Sequence, residues 1–323
     1  MVTGGAGFIG SNFILEMYGH YINEGDRIIN LDCLTYAADL RNLSSIRDES
    51  EYWFHFCDIR NLAAVNQAIQ YYSPDRIIHF AAESHVDNSI TGPKVFIDTN
   101  IVGTWNLLEA TRIWRDRLPE DFLFVHVSTD EVYGSLKEDE PRFHEELPLK
   151  PNSPYSASKA SSDMLVRSYV QTYDFPAIIT RCSNNYGPHQ MSEKFIPLMI
   201  TNALQDKELP VYGTGKNIRD WIHVRDHARA IQAVMTKGRI GQIYNIGGSW
   251  ELANIEIVEE ILDILDKPTS LIKYVEDRPG HDWRYAMDTT KICAETDWEP
   301  IVGFERGLYI TVQWYKAMRE LCE

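Results

Sequence analysis

The sequence predicts an α/β protein built on a doubly wound parallel sheet, with a smaller, mostly helical C-terminal lobe. Three observations carry this. Short, unbroken apolar runs rich in β-branched residues alternate with longer helical patterns through the first half of the chain. The first such unit opens on a glycine array, TGGAGFIG at 3–10. Beyond about residue 187, helical segments joined by Gly- and Pro-containing turns take over.

In chain order, Met1, Val2 and Thr3 alone precede the glycine turn. A strand usually runs ~5–6 residues, so a late-starting chain is expected. RIINLD (27–32), RIIHFAA (76–82), FLFVHVST (122–129) and AIITRC (177–182) are continuous apolar runs. That is the pattern of strands covered on both faces rather than on one. Helical stretches 61–72, 99–114 and 155–173 lie between them. Later come helical segments 193–205, 254–266 and 304–321, and GQIYNIG (241–247) reads as a strand returning to the sheet. Residues 1–187 are expected to form the first domain, with 229–248 returning to it. Residues 188–228 and 249–323 are expected to form the second lobe.

Composition bounds the function. The 323 residues carry 31 Lys+Arg against 47 Asp+Glu, a net charge of −16. Nucleic-acid binding wants a basic stripe and is not expected. An anionic ligand must instead be met by a few local cations. No apolar run approaches the ~20 residues that span a bilayer, so no membrane partner is expected. The five cysteines are scattered, odd in number and without C-x-x-C spacing. They read as reduced thiols, and a cytoplasmic location is expected.

Gly4, Gly7 and Gly10 run straight into a helical pattern. A tight turn there brings backbone N–H groups and a helix N-terminus against a pyrophosphate, where a Cβ would block the approach. Asp32 ends the next strand. A carboxylate at that place accepts hydrogen bonds from the adenosine ribose and repels a 2′-phosphate, which favours NAD over NADP in a Rossmann-type domain. Tyr155 and Lys159 stand four apart on one helical face. A nearby ammonium favours the phenolate, bringing a Tyr toward use as a base. Asp130 and Glu131 follow Ser128 and Thr129 at the C-terminal end of a buried strand. Open α/β sheets place ligands at that edge, and two adjacent carboxyls can serve as acid and base there. His223 and His227 are four apart but lack a third ligand in H-E-x-x-H style, so no metal is expected.

TGGAGFIG with Y-x-x-x-K resembles the extended short-chain dehydrogenase/reductase family of nucleotide-sugar enzymes, over nearly the whole chain. STDEVYG, AAESHVD, RCSNNYGP, EKFIPL, RDWIHVRDH and DRPGHD resemble its 4,6-dehydratase branch most closely. The resemblance implies that Tyr155 removes the O4 proton of a nucleotide-linked glucose while hydride leaves C4 for NAD. Glu131 then takes the C5 proton, Asp130 protonates the departing C6 hydroxyl, and the hydride returns to C6. Thr129 would orient the sugar and Lys159 would hold the nicotinamide ribose. Carried across by position, Phe8, Ile9, Leu34, Thr35, Asp58, Ile59, Ala81, Ala82, Ser84, Thr99 and Asn185 would meet the cofactor. Ser84, Asn184, Lys194, Phe195, Pro210, Tyr212, Arg219, Asn254, Arg278 and His281 would meet the substrate, expected to be dTDP-glucose.

Asn88 and Trp283 stand where the family often has Arg, and Met191-Ser192 where it often has Phe-Pro. These leave thymine and uracil both open. UDP-glucose 4,6-dehydration, nucleotide-sugar 4-epimerisation and a non-enzymatic NAD-binding interaction protein are the alternatives. The family pairs helices 99–114 and 155–173 across a homodimer as a four-helix bundle.

Overall fold

The computed structural model describes residues 1–277 and 281–320. Its strands are β1 (Val2–Thr3), β2 (Ile28–Asp32), β3 (Tyr52–Phe56), β4 (Arg76–His79), β5 (Leu123–Thr129) and β6 (Ala177–Cys182), then β7 (Asn184–Tyr186), β8 (Leu209–Tyr212), β9 (Ile218–His223), β10 (Ile243–Ile246), β11 (Trp250–Ala253) and β12 (Ile272–Val275). Seven of them form one parallel sheet in the order β10-β6-β5-β4-β1-β2-β3. The chain winds outward from β1 in both directions, which is the doubly wound class the alternation predicts.

Every residue of β5 and β6 is buried, because helices cover both faces of the sheet. Successive strand residues point to opposite sides. Ile78, Val125 and Val127 pack toward helices Phe8–His20 and Val224–Lys237. Ile77 and Phe124 pack toward helices Leu62–Tyr72, Thr104–Ile113 and Pro154–Tyr173. The last of these starts on a capping box, with Ser153 accepting from the Ser156 N–H and Pro154 in the first turn.

Three local features differ from the sequence reading. Strand β3 is absent from the sequence reading although YWFHF (52–56) is an aromatic, β-favouring run; as an edge strand it leaves Trp53 and Phe56 exposed and lacks the β-branched character of the central strands. The stretch 99–114 is not one regular helix: Ile97–Gly103 is π-helical and only Thr104–Ile113 is α-helical. Such widened turns recur at functional sites, and within this one Asn100 Oδ1 accepts the Glu83 N–H at 2.8 Å. The second lobe also contains strands. A three-stranded sheet (β11-β9-β7) and a two-stranded one (β12-β8) accompany helices Phe195–Leu204, Asn254–Ile264 and Phe304–Glu320. These strands are short and polar in part, so neither length nor periodicity announces them.

Candidate active site

The sheet's C-terminal edge opens into one large cleft. At its floor the glycine array forms a cradle. Gly4 has φ +69°, and a Cβ there would lie 2.6 Å from the Ala81 nitrogen. A Cβ on Gly10 would lie 2.2 Å from the Gly4 carbonyl oxygen. Gly7 is the N-cap of helix Phe8–His20, so the positive end of that helix faces the cleft. Asp32 accepts the Ala6 N–H at 3.0 Å and the Leu34 N–H at 2.8 Å, one on each oxygen, leaving lone pairs for ribose hydroxyls. Asp58 lines the cleft with its carboxylate held by Arg60 at 2.6 Å. The cradle and the carboxylate together fit a dinucleotide.

Of the cofactor residues read from the sequence, Gly4, Gly7, Phe8, Ile9, Gly10, Asp32, Thr35, Asp58, Ile59, Ala81, Ala82, Ser84, Thr99, Tyr155, Lys159 and Asn185 all line this cleft. Leu34 does not. Its backbone N–H is turned to Asp32 and its side chain is exposed.

The chemistry-bearing side chains converge at the other end. Tyr155, Lys159, Thr129, Asp130 and Glu131 line the same wall. Asp130 is buried, accepts the Thr129 hydroxyl at 3.2 Å on Oδ1, and has no partner for Oδ2 among the described residues. Burial, then the charges of Glu131 and Asp220, pushes its carboxyl well above the usual carboxylate range. Burial thus favours the protonated form of this carboxyl, whose Oδ2 has no partner among the described residues. Burial, against the raising charges of Asp163 and Cys182, lowers Lys159 to about 8, and its ammonium donates to the Val127 carbonyl at 2.8 Å.

Tyr155 corrects the simple expectation drawn from the Y-x-x-x-K spacing. Burial raises its phenol well above the usual value, Glu131 adds to this, and the offsetting contribution comes from a Thr129 hydrogen bond rather than from Lys159. Cys182 also lines the cleft, but burial pushes its thiol up to about 12, which disfavours the thiolate.

The substrate residues divide. Ser84, Asn184 and Lys194 line the cleft, with Lys194 Nζ donating to the Ser84 carbonyl at 3.0 Å. Phe195, Pro210, Tyr212, Arg219, Asn254 and His281 stand in the second lobe and do not line it. Phe195 stacks on Trp221, and Tyr212 meets the His281 ring edge-on. Asn254 begins helix Asn254–Ile264. Pro210 sits opposite Lys273 in the two-stranded sheet. Arg219 is buried, lies 4.5 Å over the Tyr285 ring and donates to the carbonyls of Ile218, Asp282 and Trp283. Arg278 lies outside the described residues. His227 Nδ1 is 2.8 Å from Asn185 Oδ1, and His223 accepts the Arg225 N–H; among the described residues no three potential ligands gather around a common point.

Sequence reasoning does not single out Asp220. It is buried in β9 with its carboxyl accepting the Trp250 and Met287 N–H groups at 3.1 and 3.3 Å. The only signal is a charged residue between Arg219 and Trp221 inside a short strand. Burial raises it to about 7.

The family described as GDP-mannose 4,6 dehydratase matches residues 1–311. A dTDP-glucose 4,6-dehydratase of Xanthomonas campestris pv. campestris is 52% identical over 98% of this chain and 92% of its own. The crystal structure of a Bacillus anthracis dTDP-glucose 4,6-dehydratase in complex with NAD is 50% identical, covers 99% of this chain and 96% of its own, and has a TM-score of 0.90. The corresponding Streptomyces venezuelae enzyme, crystallised with NAD, is 46% identical, covers 99% and 97%, and has a TM-score of 0.93.

The raised carboxyl of Asp220 has a measurable consequence. Because its folded pKa of about 7 exceeds the ordinary 3.8, its contribution to stability is complete below that ordinary value and is lost as pH rises through about 7. Buried His126, lowered to about 4, gives the opposite slope, so the comparison must be between wild type and Asp220→Asn. Denaturant titrations from about pH 4 to 8 are expected to show wild type losing stability relative to the variant as pH rises; a constant difference across that range contradicts the assignment.

With Gly4, Gly7, Gly10, Asp32, Asp130, Glu131, Tyr155 and Lys159 along one cleft and relatives at half identity over nearly the full length, the chain belongs to the GDP-mannose 4,6 dehydratase family and, within it, to the dTDP-glucose 4,6-dehydratases.

Proposed function

We propose that the chain converts dTDP-glucose to dTDP-4-dehydro-6-deoxyglucose with NAD held throughout, an early step toward rhamnose-type deoxysugars. The observation that carries this is the buried Asp130 beside Glu131 in the cleft that also presents Tyr155, with burial raising the Asp130 carboxyl above the usual range. Moving a hydride on and off one carbon needs no such pair. β-Elimination of a poor leaving group needs an acid and a base at once.

Bound NAD supplies the acceptor for hydride from C4 and later the hydride delivered to C6. Tyr155 takes the O4 proton, with Thr129 fixing the hydroxyl and the positive nicotinamide ring of bound NAD offsetting the burial that raises the phenol. The resulting ketone acidifies the C5–H, and Glu131 takes that proton. Asp130 gives its proton to the C6 hydroxyl, which leaves as water, and the C5 position is reprotonated as C6 is reduced. Lys159 holds the nicotinamide ribose. Residues 1–187 and 229–248 bind the cofactor, and the lobe of residues 188–228 and 249–323 takes the nucleotide diphosphate, with Lys194, Arg219 and Arg278 as its cations.

The described cysteines are free thiols, and no described helix is long and apolar enough to cross a membrane; both fit action in the cytoplasm. The helix pair Thr104–Ile113 and Pro154–Tyr173 leaves Trp105 and Met164 exposed, with Ile97 and Val102 just before it. A second copy covering this face would form a homodimer. Sedimentation is expected to find wild type dimeric and Trp105→Glu monomeric; a monomeric wild type, or an unaffected variant dimer, contradicts that interface.

Incubation with dTDP-glucose and UDP-glucose separately, followed by assay for a 4-keto-6-deoxy sugar, tests the function directly. Product is expected with dTDP-glucose. Product from UDP-glucose alone would favour the uridine reading, and product from neither would remove the dehydratase reading. Asp130→Asn should slow elimination by on the order of 100-fold while O4 deprotonation persists, so reduced nicotinamide builds up on the enzyme. Normal turnover by this variant would take the acid role from Asp130.

A further inference from the structure

Beneath the reactive wall lies a buried polar chain that the reaction itself does not use. Arg181 sits in β6, a strand buried along its whole length, and is 1% exposed. Strands covered on both faces are normally apolar, so a full cation there demands a reason. Its Nε donates to Asp163 Oδ2 at 2.9 Å and its Nη1 donates to the Tyr133 hydroxyl at 2.8 Å. The Tyr133 hydroxyl in turn donates to Asn245 Oδ1 at 2.8 Å, and its ring stacks on Phe143 with centroids 4.9 Å apart. His126 Nε2 lies 3.4 Å from the other oxygen of Asp163.

The two ends of this chain belong to the two halves of the reaction. Asp163 follows Tyr155 and Lys159 at successive four-residue steps of helix Pro154–Tyr173, on the same face. Tyr133 closes the short 3-10 turn Asp130–Tyr133 that carries the elimination carboxyls. A buried ion pair adds little net stability compared with apolar packing of the same volume. What a planar guanidinium adds is direction, since its fork fixes two partners at a set distance and angle.

We propose that Arg181 is a positioning residue that registers the elimination pair Asp130–Glu131 against the redox pair Tyr155–Lys159, acting through Tyr133 on one side and Asp163 on the other. The role rests on the dehydratase reading. Helix Pro154–Tyr173 is held by its cap and its packing on the sheet, and the turn at 130–133 by the Lys150 N–H to Val132 carbonyl bond at 2.9 Å and the Tyr133–Phe143 stack, so cutting the link alters the alignment of the two without unfolding either.

Tyr133→Phe is the cleanest test, because it removes both hydroxyl hydrogen bonds and keeps the stack on Phe143. Stopped-flow absorbance of reduced nicotinamide during turnover of dTDP-glucose separates the two halves. Its appearance should stay within about twofold of wild type, while its disappearance should slow on the order of 10- to 100-fold, leaving a larger transient. Arg181→Lys should shift the same partition in the same direction, and a failure of that variant to fold leaves Tyr133→Phe decisive. A purely structural role would lower thermal stability and slow both phases together or neither; either result overturns the proposal while an active wild type leaves the dehydratase reading standing. A wild type that yields no 4-keto sugar overturns both.

Discussion

Enclosing one carboxyl beside another is the constraint from which the site follows. Asp130 is shut away from water at the end of β5, with Glu131 next in sequence and Asp220 behind. Burial and the two neighbouring carboxylates outweigh the opposing pull of Arg219 and the Thr129 hydroxyl, so the protonated form is favoured there. Glu131 is only half-buried. The same turn thus presents two identical functional groups in different surroundings, which is how one fold can run acid and base chemistry side by side.

The sheet supplies the placement. Strand ends converge on the edge between β1 and β4, where the winding reverses. The glycine cradle sits on one side of that point and the Thr129–Glu131 turn on the other. Close contacts at Gly4 and Gly10 leave no room for a side chain, so the backbone itself forms the wall against which a pyrophosphate rests. The buried Arg181–Asp163 pair is costly to desolvate, yet it spans from the helix of Tyr155 and Lys159 to the turn of Asp130. Geometry rather than added stability is what such a pair contributes.

Much of this is legible in the sequence for a definite reason. Strands buried on both faces leave an apolar run, and a pyrophosphate cradle leaves glycines, because in each case the tertiary environment forbids other residues. The elements that escape notice are those whose logic is long-range. The edge strand β3 shows Trp53 and Phe56 to solvent, so its aromatic run carries neither the β-branched continuity nor the clean alternation of the other strands. Asp220 and Tyr133 gain their meaning from partners at 250 and 287, and at 181 and 245. Arg181 was visible as a charge inside AIITRC, but its purpose was not. The Tyr155–Lys159 spacing sets both on one helix and both line the cleft, but spacing carries no information about burial, and burial is the largest influence on both groups. Likewise, positions 195, 210, 212, 219, 254 and 281 are grouped by motif, while the chain's own geometry sets them on the second lobe away from the cofactor cradle.

The central claim is that Asp130 carries its proton at neutral pH, and infrared difference spectroscopy of wild type against Asp130→Asn measures this most directly. With the aspartates labelled at the carboxyl carbon, wild type should show a protonated-acid carbonyl band that the variant lacks. A difference spectrum containing only carboxylate bands would contradict the account, because an ionised Asp130 has no proton to give the departing hydroxyl.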